Sequence, residues 1–433
     1  MSIRRYSHRA GLLAATAVAA GLTVCTGTAF APLPAASAQP STTTTPFTTP
    51  DTDNCPERDS PPPPIDASEV PTPGETAPAA LPIPDPPIGG KQMRGCGLVL
   101  PPGAPPLPAE ISATAWQLTD LDTGKVLAAK DPHGRYRPAS CIKILLAATA
   151  LPQLNPDTVV TGTQDDANAD GTRVGIGPGG RYSNDQLFHA LLMASGNDAA
   201  HAIATQLGGD EATIGKMNDL AKSLQALDTR AATPSGLDGP GMSTSAYDLS
   251  VFFHKALAIP EFAKIVHTEQ FDFPGYPADP KNPDDKDHPG FAIANDNRLL
   301  YDYDGALGGK TGYTDDARQT FVAGAERNGH RLSITLLKAD VLPIRPPEQA
   351  ARLLDWGFAL PAGASVGTLP DAAPSADSAD SSVALASPPV AAPGDDATHS
   401  ESGHDSLRLV LIAGGVILVL VLLLGARQLN RRR

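Results

Sequence analysis

The sequence predicts an α/β sandwich whose single sheet is assembled from both ends of one domain, with a helical region inserted between them. Strand-like runs at 114–119 and 125–129 open that domain, and strand-like runs at 320–325 and 332–338 close it. The interval between them carries helical periodicity and helix caps. A chain of 433 residues is long for one compact domain, so appendages are expected on either side.

The N-terminus has the order of a secretory signal. Arg4, Arg5 and Arg9 precede an uncharged run from Gly11 to Cys25, and Ala36-Ser37-Ala38 supplies a small-residue cleavage site. The expected signal peptide is therefore 1–38. Of the 44 prolines, 20 fall between Gln39 and Pro108. Fixed φ angles and missing N–H donors exclude regular helix and sheet there, so 39–108 is expected to be a semi-rigid, partly polyproline-like extracytoplasmic stalk. Cys55 and Cys96 lie in this segment, and outside the cell a bridge between them would close a loop worth roughly 4 kcal/mol in the chain-entropy model. Cys141 would stay free and buried.

The folded domain is expected over 109–360. Its first hairpin turns at Asp122-Thr123-Gly124. Pro138 precedes an apolar helical run from Ser140 to Ala150. Ser183 and Gln186 form a capping box before the helix Leu187–Ala194, and a second helix, Asp198–Leu207, stops at Gly208-Gly209. Helical stretches follow at Thr213–Leu227 and Ser245–Ala258, and Asn328-Gly329 joins the last two strands. Residues 361–406 revert to Ala, Ser, Pro and Asp, a flexible tether. Leu409–Ala426 is an uncharged run of 18 residues, about 27 Å as a helix, close to the thickness of bilayer hydrocarbon. Arg427, Arg431, Arg432 and Arg433 follow it, so a membrane helix over 407–427 with a basic cytoplasmic tail at 428–433 is expected. The catalytic part would then face outward from the cell membrane.

A net charge of −14 argues against nucleic acid as a partner, because phosphate binding needs a basic surface. The histidines show no metal-ligand spacing, so neither metal nor other cofactor is expected.

Three short motifs carry the chemistry. Ser140-Cys141-Ile142-Lys143 puts a hydroxyl and an amine three residues apart on one helix face, a nucleophile and a base within one turn. Ser195-Gly196-Asn197 sits at the break between two helices, with a hydroxyl to relay a proton and an amide to hold a substrate. Lys310-Thr311-Gly312 lies on an edge strand, where lysine and threonine can pair with a carboxylate and Gly312 leaves room for a substrate backbone. Gly309-Lys310-Thr311 also ends like a nucleotide-binding loop, but that loop needs glycine where Asp304 stands. Each motif alone is weak. Their order, with spacings of 55 and 115 residues, matches the triple of serine penicillin-recognising enzymes.

On these residues the sequence resembles the low-molecular-mass penicillin-binding proteins that act as serine D-alanyl-D-alanine carboxypeptidases, in particular the membrane-anchored actinobacterial type. The likeness runs from about Ser112 to Phe358. It includes 191–200 (LLMASGNDAA), Met217-Asn218, 234–237 (PSGL), 243–249 (STSAYDL) and 295–300 (NDNRLL). It implies a five-stranded antiparallel sheet flanked by helices with a helical subdomain. It also implies peptidoglycan stem pentapeptides as substrate and β-lactams as inhibitors that trap Ser140. Transferred by motif, Ser140 is the nucleophile and Lys143 the base, its pKa lowered by burial and by Lys310. Ser195 and Lys310 carry the proton onward, Asn197 holds the substrate amide, and Lys310 and Thr311 hold the terminal carboxylate. The backbone N–H groups of Ser140 and Tyr313 form the oxyanion hole. A β-lactamase would need a Glu-x-x-Leu-Asn stretch between the second and third motifs, and the sequence has none. A DD-endopeptidase would use the same residues, and a non-catalytic wall sensor could keep the fold.

Overall fold

The computed structural model describes residues 47–370. The expected signal peptide, the membrane helix with its basic tail, and the tether beyond Pro370 lie outside the described residues. Among the described residues no helix is long and apolar enough to cross a membrane.

In chain order the elements are β1 (Leu98–Val99), β2 (Ala115–Asp120), β3 (Lys125–Lys130), a 3-10 turn (Ala139–Ile142), α1 (Lys143–Ala150), β4 (Val159–Thr161), α2 (Gln164–Ala167), β5 (Arg181–Ser183), α3 (Asn184–Met193), α4 (Asn197–Gln206) and α5 (Asp210–Ser223). Then come α6 (Ala246–Leu257), α7 (Pro260–Val266), β6 (Gln270–Phe273), β7 (Phe291–Ala294), α8 (Leu299–Asp302), β8 (Ala306–Thr314), β9 (Arg318–Arg327), β10 (His330–Ala339), α9 (Pro346–Phe358) and β11 (Gly367–Thr368).

The main sheet is antiparallel and runs β3-β2-β10-β9-β8 through its five long strands, so both ends of the domain do share it. The expected count of five is corrected to seven. β1 and β11 each pair with the outer edge of β3, β1 near Ala129 and β11 near Val126. Strands of two residues carry no alternation pattern, so sequence periodicity is blind to them. The β9–β10 turn places Asn328 and Gly329 both at positive φ, 54° and 78°, the geometry that makes Asn-Gly a hairpin signal.

Alternating side chains send the sheet's two faces into two cores. Trp116, Leu118, Leu332, Ile334 and Leu336 pack toward α9, where Trp116 meets Trp356 edge-on at 6.5 Å. The opposite face carries Ser333 and Thr335, and the Thr335 hydroxyl bonds Ser250 of α6 at 2.9 Å. The larger core on that side is built around α1. Every residue of α1, Lys143–Ala150, is buried, which is why this helix shows no polar stripe.

The Pro-rich segment is the second correction. It does not stand away from the domain as a stalk. It runs along the domain as a strap, with residues 55 and 96 joined by a disulfide at a Cα–Cα distance of 5.1 Å. Arg135 donates to the carbonyls of Asp59, Leu81 and Pro82 at 2.8, 2.6 and 3.0 Å. Arg137 donates to Pro62 O at 2.8 Å and to the Glu69 carboxylate, and the Ile65 N–H donates to Asp316 Oδ1 at 2.6 Å. Met93 enters the main core at 1% exposure. A proline run has carbonyls but few N–H groups, so it cannot satisfy itself. Buried guanidinium groups of the domain supply the missing donors and offset part of their own desolvation penalty in doing so.

The other domain boundary also moves. The sequence sets the tether from 361, yet Val366 N bonds Val126 O, Leu369 N bonds Gly124 O and Leu369 is 2% exposed, so the fold extends to Pro370.

Candidate active site

The chain reaches Ser140 through a taut approach. Tyr136 exchanges two backbone hydrogen bonds with Thr244, Pro138 ends the approach, and Ala139 is driven to φ 46°. Left-handed backbone at a residue with a Cβ is costly and persists only where surroundings over-determine it. Here the surroundings are visible. Gly236, itself at φ 90°, lies so close under the turn that an added Cβ would come within 2.0 Å of Ala139 O. Ser140 sits on the 3-10 turn and is half-buried, while Lys143 opens α1 at 0% exposure.

Lys143 Nζ has three neighbours: Ser140 Oγ at 2.9 Å, Asn197 Oδ1 at 2.7 Å and the Ser235 carbonyl at 2.5 Å. Burial lowers its pKa well below the ordinary lysine range, and Lys310 adds to the effect by like-charge repulsion. A neutral amine has two N–H donors and one lone pair. Asn197 and Ser235 can take both donors, which leaves the lone pair for the Ser140 hydroxyl. The arrangement can therefore deprotonate Ser140 without any histidine.

Ser195 occupies the link between α3 and α4 at φ 61° and is buried. Asn197 begins α4. Its backbone N–H bonds Thr172 O at 2.7 Å and its Nδ2 bonds Asp170 O at 2.6 Å, so one side-chain N–H remains for another acceptor. Next to it, Asp198 is fully buried and accepts from the N–H groups of Val174, Gly175 and Ile176, which pins the 172–176 loop against α4.

Lys310, Thr311, Gly312 and Tyr313 lie on β8, the free edge of the sheet beside the serine turn. Lys310 is 1% exposed, its Nζ bonds Thr311 O at 2.7 Å, and burial lowers its pKa while nearby Asp296 opposes the shift. A Cβ on Gly312 would fall 2.8 Å from Ser140 N and 2.3 Å from Thr320 Oγ1, so only glycine lets β8 close on the turn. Cys141 fills the seam. Its thiol lies 3.4 Å from Lys310 O and 3.3 Å from Thr320 Oγ1, and burial pushes its pKa up to about 11, which makes it a packing group.

The three motifs thus meet around Ser140 although 170 residues separate Ser140 from Lys310. Ser235, Gly236, Asp198 and Thr320 complete the cleft; none belongs to the three motifs, although the stretches 191–200 and 234–237 contain the first three. The Pro-Ser-Gly turn was the available signal, since glycine at a turn can mark close backbone approach. Two clusters of metal-ligand types occur elsewhere among the described residues, Asp120–Asp122–His330 and His133–Asp228–Asp248. Each already has an arginine beside it: Arg331 Nε bonds Asp122 at 2.7 Å, and Arg135 Nε lies 3.5 Å from Asp228.

Comparison with known proteins agrees with this geometry. Residues 103–341, more than half of the chain, match the family described as D-alanyl-D-alanine carboxypeptidase. D-alanyl-D-alanine carboxypeptidase DacB2 of Mycobacterium tuberculosis is 45% identical over 275 residues, covering 63% of this chain and 90% of that protein. DacD of Escherichia coli is 33% identical over 267 residues, covering 58% of this chain and 64% of its own length. The crystal structure of a Mycobacterium tuberculosis D-alanyl-D-alanine carboxypeptidase superposes with a TM-score of 0.57 at 44% identity, over 63% of this chain and all of that one. A Streptomyces DD-transpeptidase gives 0.54 at 27% identity, over 59% of this chain and all of its own. With the three motifs converging on one cleft and the family match spanning most of the folded domain, the chain belongs to the D-alanyl-D-alanine carboxypeptidase family.

Proposed function

We infer that this protein is a serine D-alanyl-D-alanine carboxypeptidase that removes the terminal D-Ala from peptidoglycan stem pentapeptides through an ester on Ser140. One observation carries the reading: a fully buried Lys143 amine 2.9 Å from Ser140 Oγ, with two other acceptors to take its protons.

In the proposed course, Ser140 Oγ attacks the carbonyl of the penultimate D-Ala as its proton passes to Lys143 Nζ. The tetrahedral oxyanion is held by the backbone N–H groups of Ser140 and Tyr313, and the remaining Asn197 N–H holds a substrate amide. Lys310 and Thr311 bind the terminal carboxylate, whose negative charge favours the charged form of Lys310 that burial opposes. Ser195 relays the proton to the leaving amine, the C–N bond breaks, and D-Ala departs. Water then hydrolyses the ester and returns a proton to Ser140, leaving a tetrapeptide. A β-lactam would present a strained amide in the same place and leave a slowly hydrolysed ester.

An extracytoplasmic location is part of the proposal. The Cys55–Cys96 disulfide supports it, because such bonds persist in oxidising compartments. The apolar run 409–426 followed by arginines supports attachment to the outer face of the cell membrane.

Incubation with a stem pentapeptide is expected to yield free D-Ala and tetrapeptide in equal amounts. Release only from a crosslinked dimer would make the enzyme an endopeptidase, and transfer of the acyl group to an added amine in preference to water would make it a transpeptidase.

Gly312→Ala tests the close approach of β8. The added methyl cannot fit beside Ser140 N without moving backbone, so acylation by a fluorescent penicillin is expected to slow roughly ten- to a hundredfold. Thermal melting should fall only modestly, and an unchanged acylation rate would contradict the packing argument.

A further inference from the structure

We propose that the Pro-rich strap is a working part of the catalytic cleft, with Glu69 as a positioning residue for Ser140. The inference rests on the carboxypeptidase reading above and deepens it.

The strap segment 62–69 bonds to two segments that lead to the motifs, the approach to Ser140 and the turn after β8. On one side it grips Arg137, three residues before the nucleophile, through Pro62 O at 2.8 Å and through the Glu69 carboxylate. On the other side the Ile65 N–H bonds Asp316 Oδ1 at 2.6 Å, and Asp316 lies in the β8–β9 turn, two residues past the end of β8, which carries the Lys310-Thr311-Gly312 motif. Glu69 and Arg137 are well sheltered, with side-chain exposures of 15% and 2%, so this is not a solvated surface pair.

Arg137 is also a junction. Glu69 pairs with its guanidinium directly, and Asp316 and Asp238, from two other segments, lie near enough for their charges to favour its charged form. Asp238 belongs to the loop whose Ser235 carbonyl takes the Lys143 amine and whose Gly236 supports Ala139. Its carboxylate sits beside Thr314 of β8, and its Oδ1 is buried with no hydrogen-bond partner. One guanidinium thus joins the strap to the approach to Ser140, with carboxylates of the Lys143 loop and of the β8–β9 turn in its field. With Glu69 gone, Arg137 keeps only the Pro62 carbonyl as a direct strap partner, so the approach to Ser140 is held less tightly.

The strap has the rigidity such a part requires. The Cys55–Cys96 disulfide encloses every strap residue that contacts Arg135, Arg137 and Asp316. Four consecutive prolines, 61–64, stiffen the segment immediately before Ile65.

The test compares Glu69→Ala, Glu69→Gln and Ile65→Pro in the full chain. Ile65→Pro extends the proline run, removes the N–H that Asp316 accepts and puts a ring carbon in its place, so the carboxylate must move away. Asp85→Ala is the control, since it breaks an exposed ion pair with Arg94 on the same strap. Steady-state D-Ala release and the rate of acylation by penicillin are measured, with active-site titration counting competent molecules. Glu69→Ala and Ile65→Pro are expected to lower kcat and the acylation rate roughly tenfold, with KM little changed, because small displacements of a nucleophile are costly. Glu69→Gln, which keeps an acceptor for Arg137, should recover most of the loss, and Asp85→Ala should match wild type. Wild-type rates per active molecule in both Glu69→Ala and Ile65→Pro would overturn the proposal, even if their melting temperatures fell. Penicillin labelling of wild type checks the underlying reading separately, so equal rates between variants and a labelled wild type count against this inference alone.

Discussion

Ser140→Ala is expected to abolish covalent labelling by penicillin and to lower D-Ala release by a factor on the order of 10⁴ or more, as removal of a serine nucleophile does elsewhere. The reason is local. The Lys143 amine would remain between Asn197 and Ser235, but no hydroxyl would stand 2.9 Å from it. Ser195 cannot replace it, because it lies on the α3–α4 link and not on the turn under Gly312. The variant should fold, since Ala fits the half-buried position and the turn's supports at Gly236 and Thr320 are backbone and neighbouring groups. Intact-protein mass after exposure to penicillin reads the result. An adduct on the variant would sink the proposed mechanism, and peptide mapping would then show which hydroxyl reacts.

Lys143→Met should be nearly as damaging, lowering acylation by roughly 10³-fold or more because both the base and the organiser of the cleft disappear. It also leaves Asn197 Oδ1 and the Ser235 carbonyl buried without a donor, about 1–3 kcal/mol each, so melting should fall as well. The pH profile separates the two effects. In wild type, kcat/KM should rise with pH through the depressed pKa of Lys143, because only the neutral amine can accept the Ser140 proton. It should fall again as Lys310 loses its charge, at a pH below the ordinary lysine value because burial lowers that pKa too. Lys143→Met should lose the acid limb. Lys310→Arg should move the alkaline limb upward, since a guanidinium keeps its charge. The same burial has a sign for stability. The folded state holds Lys143 with fewer protons than the unfolded chain, so its contribution improves as pH rises toward the ordinary value of 10.5. An acid limb that persisted in Lys143→Met would assign the base elsewhere.

Much of the cleft could be read in sequence because its parts are local. Residues three apart on one helical turn must face the same way, so Ser140 and Lys143 were bound to be neighbours once that turn formed. Ser195 and Asn197 lie across a helix break, and a break is visible as Ser-Gly in an otherwise helical pattern. The capping box at Ser183 and Gln186 and the Asn328-Gly329 hairpin are equally local, and both occur. Ser235 acts through its carbonyl, which every residue possesses, so its identity announces nothing. Gly236 and Gly312 matter for what they lack, and the backbone atoms that would meet a Cβ there belong to Ala139, Ser140 and Cys141, about a hundred or more residues away in the chain.

The strap shows the same division at larger scale. Its composition correctly excluded helix and sheet over most of its length, yet composition cannot say whether unsatisfied proline carbonyls will meet water or a buried arginine. Arg135 and Arg137 are two residues in a loop by sequence, and only their burial reveals that they need acceptors from outside the domain. The sequence by itself determined the order of the motifs, the pairing of nucleophile with base and the sharing of one sheet by both ends of the domain, because each follows from short-range geometry and hydrophobic pattern. Tertiary structure alone decided how burial lowers the Lys143 pKa, which backbone holds the serine turn, and that the Pro-rich segment packs on Arg135 and Arg137. Those depend on burial and on contacts between residues far apart in the chain, and neither quantity exists until the chain has folded.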